Sequence, residues 1–177
     1  MDLFEVLINT EAIICWPNGG GFQPAEVRIN GNPLIDLIRK AEEPWTLAEY
    51  MAQQSELPNK DEYRLAPGDY HYLSCNRIFK PSQEWLGVPS KLGFVLDDED
   101  PRRGKAMVLG CTCGISECWF VQARIEVRQN TVHWSDFGQF HRPSWCYDLG
   151  PFIFDREQYE SQLDPRCSEQ TSVEDAR

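Results

Sequence analysis

The stretch that decides the fold is CWFVQARIEVRQNTVHWSDF, residues 118–137, because apolar and polar side chains alternate along most of it. Alternation with a period of two is typical of a β-strand with one buried face. The predicted core face of the first strand carries Trp119, Val121, Ala123, Ile125 and Val127. The opposite face starts at Cys118 and carries Phe120, Gln122, Arg124, Glu126 and Arg128. The pattern therefore predicts a strand over residues 118–128.

A tight turn at Gln129-Asn130 is expected to send the chain back along this strand. A two-residue turn predicts three opposed pairs, namely Val127 with Val132, Ile125 with Trp134, and Glu126 with His133. The apolar pairs share one face and the charged pair lies on the other, so the register and the hydrophobic pattern agree. The stretch thus predicts an antiparallel hairpin.

The residues before this hairpin predict shorter strands and a helix. Strands are expected at residues 3–8, 26–29, 70–75, 93–96 and 105–111. Asn30-Gly31 predicts a tight turn. A helix is expected from Pro33, with its apolar residues on one face, and Pro44 is expected to end it. A further helical stretch is expected after Trp45.

The last predicted element is a helix over residues 156–163. Asp155 is a good N-cap, and Gln158 follows three residues later, as in a capping box. Phe154 and Tyr159 hold the positions of a hydrophobic staple. Residues 1–165 are expected to form a single globular domain, followed by a polar tail over residues 166–177.

These elements predict an α+β fold, with an antiparallel sheet of about five to seven strands and two or three helices packed on it. The composition of the 177 residues fits a globular domain, since 41% are hydrophobic and 12% aromatic.

The net charge of −11 argues against nucleic-acid binding, because phosphate neutralisation requires a basic surface. A basic protein partner or a cationic ligand suits this charge better, and the alternative is that the acidic surface serves solubility alone. The first residues do not resemble a signal peptide, and no run of about 18 apolar residues predicts a membrane span. We therefore expect a cytoplasmic protein that does not associate with membranes, in which most cysteines stay reduced.

A cluster of cysteines precedes the hairpin in GCTCGISECWF, residues 110–120. Cys111, Cys113 and Cys118 follow a C-x-C-x4-C spacing, and the predicted strands place Cys111 at the end of one strand and Cys118 at the start of the next. Three thiols on one short connection could hold a structural zinc ion, which requires four ligands. The fourth ligand would come from elsewhere, and the possible residues are Cys146, His141, His133 and Cys75.

Two other interpretations of the same cysteines remain open. Cysteine is among the most buried residue types and packs as a small apolar side chain, so the cluster could be structural. A redox or reactive thiol is the other possibility, and it would need a positive potential nearby. A Cys–His–Asp arrangement of Cys118 and Asp136 with either His133 or His141 would be one form of it.

The segment after the hairpin is rich in aromatic and charged residues. We select five of its residues as candidates for a binding site, because aromatic rings supply contact area and polar groups supply direction: Trp134, Asp136, His141, Arg142 and Trp145. The alternative is a buried aromatic corner in which His141 and Arg142 pair with acidic residues, with Asp136, Asp148 or Asp155 as the possible partners.

Three stretches of the last third of the chain resemble small uncharacterised bacterial proteins. They are C-x-C-G-x3-C-W at residues 111–119, V-x-W-x-D-F-x-Q-x-H-R at residues 132–142, and P-F-x-F-D-R-x-Q-Y at residues 151–159. The resemblance implies a bacterial, cytoplasmic, single-domain protein and implies no mechanism.

The sequence as a whole favours a non-enzymatic binding or interaction protein, because no recognised catalytic motif is present. The alternative is a thiol- or metal-dependent enzyme or redox protein that uses Cys111, Cys113 and Cys118.

Overall fold

The computed structural model of the chain describes residues 1–8, 12–15, 19–53 and 64–164. Within these residues the strands are β1 (Phe4–Ile8), β2 (Ile14–Cys15), β3 (Gly21–Phe22), β4 (Ala25–Ile29), β5 (Asn32–Pro33), β6 (Tyr70–His71), β7 (Ala106–Cys111), β8 (Val121–Val127), β9 (Thr131–Gln139) and β10 (Phe152–Asp155). The α-helices are α1 (Leu34–Gln53), α2 (Cys75–Ile78) and α3 (Arg156–Gln162), and short 3₁₀ helices lie at Glu84–Leu86 and Ser116–Cys118. The predicted tail over residues 166–177 lies outside the described residues.

The described strands form three antiparallel sheets. The largest has five strands in the order β10-β9-β8-β7-β6 and is curled into a half-barrel. A second sheet has the order β1-β4-β5, and β2 pairs with β3. The predicted α+β fold, with an antiparallel sheet of about five to seven strands and two or three helices, is confirmed.

The β8–β9 hairpin has the predicted register. Val127 pairs with Val132, Ile125 pairs with Trp134, and Glu126 pairs with His133. The Arg128 N–H donates to the Thr131 carbonyl oxygen at 2.8 Å, which leaves two residues in the turn. Trp134 is fully buried, as expected for a residue on the core face.

The start of β8 differs from the prediction. The strand begins at Val121, and Cys118 ends the preceding 3₁₀ helix. Phe120, which was assigned to the polar face, is fully buried, whereas Trp119 is only partly buried at the edge of the core. Phe120 is buried because Phe94 covers the outer face of the sheet, where the two rings lie 6.4 Å apart. Both faces of the sheet are therefore apolar at this end.

Helix α1 runs through Pro44, so the prediction that Pro44 ends the helix is wrong. An internal proline costs about 3 kcal/mol, because it removes a backbone hydrogen bond. The half of the helix after Pro44 is fixed by side-chain contacts that offset this cost. The Trp45 indole donates to the Cys146 carbonyl oxygen at 3.0 Å, and Glu49 accepts two hydrogen bonds from Arg142, each 3.0 Å long. Tertiary contacts thus override the local signal.

Two of the shorter predicted strands also need correction. No strand forms at residues 93–96, and only Tyr70–His71 of the 70–75 stretch is a strand. Helix α2 begins at Cys75, because the backbone after β6 turns toward β4: the Ala25 N–H donates to the Leu73 carbonyl oxygen at 3.0 Å.

Isolated bridges join the second sheet to both edges of the large sheet. Asp2 bridges to Phe154 in β10, and Pro24 bridges to Ser74 just after β6. The strands consequently surround one core, in which five fully buried aromatic side chains cluster: Phe4, Trp85, Trp134, Phe154 and Tyr159.

Helix α3 has the predicted N-cap, since the Gln158 N–H donates to Asp155 Oδ1 at 2.9 Å. The predicted staple also forms, with the Phe154 and Tyr159 rings stacked 5.6 Å apart. The Gln158 side chain differs from a capping box, because it binds the backbone of Phe4 in β1. Helix α3 is thereby attached to the N-terminal strand.

Among the described residues, no helix has both the length and the apolar character that crossing a membrane requires.

Candidate metal centre at the β7–β8 connection

The cysteine loop, residues 111–118, leaves the end of β7 and turns back toward β8. The Gly114 N–H donates to the Cys111 carbonyl oxygen at 3.1 Å, and the Cys118 N–H donates to the Ile115 carbonyl oxygen at 3.0 Å. Gly114 has a φ of 85°, which a residue with a side chain rarely adopts. These two turns bring the third cysteine back beside the first two.

The cysteine sulfurs of this loop form one cluster. Those of Cys111, Cys113 and Cys118 all lie within 4.8 Å of one another. A tetrahedral zinc ion with Zn–S bonds of about 2.3 Å needs sulfurs about 3.8 Å apart, so a shift of about 1 Å would complete three corners of the site. Cys113 and Cys118 are exposed and Cys111 is partly buried, which leaves the cluster accessible from solvent.

The local electrostatics differ between the sulfurs. The Cys113 N–H donates to the Cys111 sulfur at 3.5 Å. Burial raises the pKa of the Cys111 thiol to about 12, whereas hydrogen bonding to the backbone of Ile115 lowers the pKa of the Cys113 thiol. Of these two thiols, Cys113 is therefore the more acidic.

Among the described residues, no histidine, acidic residue or further cysteine joins the three sulfurs. None of the four residues predicted as a fourth ligand joins the cluster. His141 borders the cysteine loop, but its Nε2 is bonded to the Glu117 carbonyl oxygen at 3.2 Å, and His133 lies in β9 and bonds Thr131. The Cys146 thiol donates to the Ser144 carbonyl oxygen, and Cys75 begins α2.

Three of the five predicted binding residues come together around Trp119. The His141 ring stacks on the Trp119 ring at 6.1 Å with an interplanar angle of 11°. The Arg142 guanidinium carbon lies 5.1 Å from the same ring, and the Trp145 ring is edge-on at 6.4 Å. Because Trp119 directly follows Cys118, this group borders the cysteine loop.

The other two predicted binding residues lie apart. Trp134 is a fully buried core residue whose indole donates to the Tyr159 hydroxyl. Asp136 forms ion pairs with Lys105 at 3.0 Å and with Arg124 at 3.5 Å. The alternative interpretation paired Arg142 with Asp136, Asp148 or Asp155, but Arg142 pairs with Glu49 of α1 instead.

A buried polar cluster beneath the cysteine loop was not predicted. Glu42 of α1 is 1% exposed and accepts hydrogen bonds from the Gly68 N–H at 2.8 Å, from the Tyr70 hydroxyl at 2.5 Å and from the Tyr147 hydroxyl. Burial raises the pKa of the Glu42 carboxyl group, and it raises the pKa of both tyrosines. One sequence signal pointed to Glu42: it follows Leu34 and Ile38 at intervals of four, which places it on the buried face of α1.

Comparison of the chain with protein-family models, with curated proteins and with solved structures finds no match.

Proposed function

We propose that the protein is a metal-binding module in which Cys111, Cys113 and Cys118 hold a thiophilic ion, with Zn²⁺ as the leading choice. The observation that carries this proposal is the convergence of the three sulfurs within 4.8 Å of one another. Thiolate sulfur is a preferred donor for Zn²⁺ and for other soft ions. This proposal gives the expected non-enzymatic binding role a specific ligand.

The geometry of the loop supports metal binding more than it supports a purely structural role for the cysteines. Structural cysteines pack as small apolar side chains in the core, but Cys113 and Cys118 are exposed. Packing therefore does not account for the sulfur cluster. Binding of an ion would account for it, because three sulfurs around one cation share its positive charge.

The proposed setting is the cytoplasm, where thiols stay reduced. The cysteines described in the structure are free. A reduced state is required here, because the thiolate and not the disulfide is the metal ligand.

The test is a metal titration of the reduced, metal-free protein. Zn²⁺ would be titrated in competition with a chromophoric chelator, and Co²⁺ would be titrated while the thiolate-to-metal charge-transfer absorption is recorded. We expect about one ion per chain, and we expect Cys113→Ser to weaken binding by at least about tenfold, because one of the three ligands is lost. The matched control is Cys146→Ser, which changes an exposed cysteine outside the cluster and should bind as the wild type does.

Two results would contradict the proposal. One is the absence of any charge-transfer band with Co²⁺. The other is equal zinc affinity in the Cys113→Ser and Cys146→Ser variants. Rapid alkylation of one cluster thiol, unaffected by added Zn²⁺, would instead favour the alternative of a thiol-dependent enzyme or redox protein.

A further inference from the structure

Tyr70 connects the cysteine loop to the buried carboxylate of α1. Its backbone pairs with Cys111 in the β6–β7 ladder, at the point where the cysteine loop begins. Its hydroxyl donates to Glu42 Oε1 at 2.5 Å, and the ring is almost fully buried. One residue thus spans the distance from the first metal ligand to the helix.

The other end of the loop is held by different residues. Trp119 directly follows Cys118 and lies against the His141 ring and the Arg142 guanidinium group. Tyr70 therefore acts on the Cys111 end of the loop.

Glu42 gives Tyr70 a fixed anchor. The carboxylate accepts hydrogen bonds from the Gly68 N–H, at 2.8 Å, and from Tyr147 as well as from Tyr70. Gly68 can approach α1 because it lacks a side chain: a Cβ atom there would lie 2.6 Å from Cβ of Arg39. A buried carboxylate with several donors has little freedom to move, since each donor would be left unpaired.

We infer that Tyr70 is the positioning residue of the candidate metal centre: it fixes Cys111, the first residue of the cysteine loop, by attaching the strand beside it to Glu42. The inference rests on the proposed function. Residues that hold metal ligands in place without touching the ion typically change metal affinity by about 10- to 100-fold when they are mutated.

The experiment compares two matched variants, Tyr70→Phe and Tyr147→Phe. Each removes one hydroxyl that donates to the same Glu42 oxygen, but only Tyr70 is paired with the cysteine loop. Zinc affinity would be measured by chelator competition, and the free energy of unfolding of the metal-free protein would be measured in urea. We expect Tyr70→Phe to weaken zinc binding by about 10- to 100-fold and Tyr147→Phe to weaken it by less than about threefold.

A change in stability is measured separately in urea, so affinity is the readout that isolates positioning. Should Tyr70→Phe fail to fold, Glu42→Gln provides the second variant, because it removes the negative charge that anchors the Tyr70 hydroxyl. It should also weaken zinc binding and alter the Co²⁺ charge-transfer spectrum.

Wild-type zinc affinity in both Tyr70→Phe and Glu42→Gln would overturn the inference and leave the proposed function intact. Equal losses in Tyr70→Phe and Tyr147→Phe would overturn it too, because the effect would then come from the Glu42 cluster as a whole. A wild-type protein that binds no metal would overturn both the inference and the proposed function.

Discussion

Tyr159→Phe should destabilise the protein strongly, although it removes a single oxygen atom. The Tyr159 hydroxyl is completely buried, donates to the Trp85 carbonyl oxygen at 2.7 Å and accepts from the Trp134 indole at 3.1 Å. Phenylalanine leaves that carbonyl and that indole N–H without their partner. Each unpaired buried group costs about 1–3 kcal/mol, so the expected loss in the free energy of unfolding is about 2–6 kcal/mol.

The measurement is urea unfolding followed by tryptophan fluorescence, supported by a thermal melt. For a chain of this length each kcal/mol lowers the melting temperature by about 2–4 °C. Tyr72→Phe is the control, because the Tyr72 side chain is only partly buried and water can replace its hydrogen bonds. That variant should lose less than about 1 kcal/mol. A Tyr159→Phe protein as stable as Tyr72→Phe would refute the reasoning, since solvent would then have to reach both groups.

Two further predictions concern Glu42 and the α3 cap. Burial raises the pKa of Glu42 above its ordinary value of 4.5, so its protonation stabilises the folded state fully below pH 4.5 and this contribution is lost as the pH rises through the raised pKa. Urea unfolding at several pH values would measure the free energy of unfolding of the wild type and of Glu42→Gln. The wild-type value minus the variant value should fall as the pH rises from 4.5 through the raised pKa of Glu42. A difference that does not change with pH would refute this prediction. Asp155→Ala should lower the free energy of unfolding by about 1 kcal/mol, because the Gln158 N–H loses its acceptor. Asp155→Asn keeps an acceptor and should lose less; equal losses in the two variants would contradict the capping role.

The sequence predicted those parts of the fold that local patterns determine. Ile125 opposes Trp134 because the turn length and the alternation permit one register only. Asp155 caps α3 because a short acidic side chain at that position satisfies a free N–H. Each of these predictions depends on residues that are close together in the chain.

The errors arise where distant residues decide the outcome. Pro44 stays inside α1 because Cys146 and Arg142, about a hundred residues away, bind the second half of the helix. Phe120 is buried because Phe94 covers the outer face of the sheet, which the alternation of β8 could not reveal.

For the candidate site too, the sequence predicted what local spacing determines and missed what distant residues determine. The cysteine spacing predicted that Cys111, Cys113 and Cys118 would share one connection between strands, and their sulfurs do converge. Glu42 and Tyr70 were missed, because a glutamate in a helix is usually exposed and only the tertiary fold supplies its partners. Trp134 was selected as a binding residue for its type, but its side chain is part of the core.

The attachment of β1 to α3 has a consequence for the order in which the protein can fold during synthesis. The Phe4 and Val6 N–H groups donate to Gln158 and Gln162, which lie 154 and 156 residues later in the chain. A ribosome must therefore release nearly the whole domain before its first strand can acquire these partners, and pairing over such separations is slow. Until then Phe4 and one edge of β1 lack these partners, and apolar surface exposed in this way during folding is prone to aggregation.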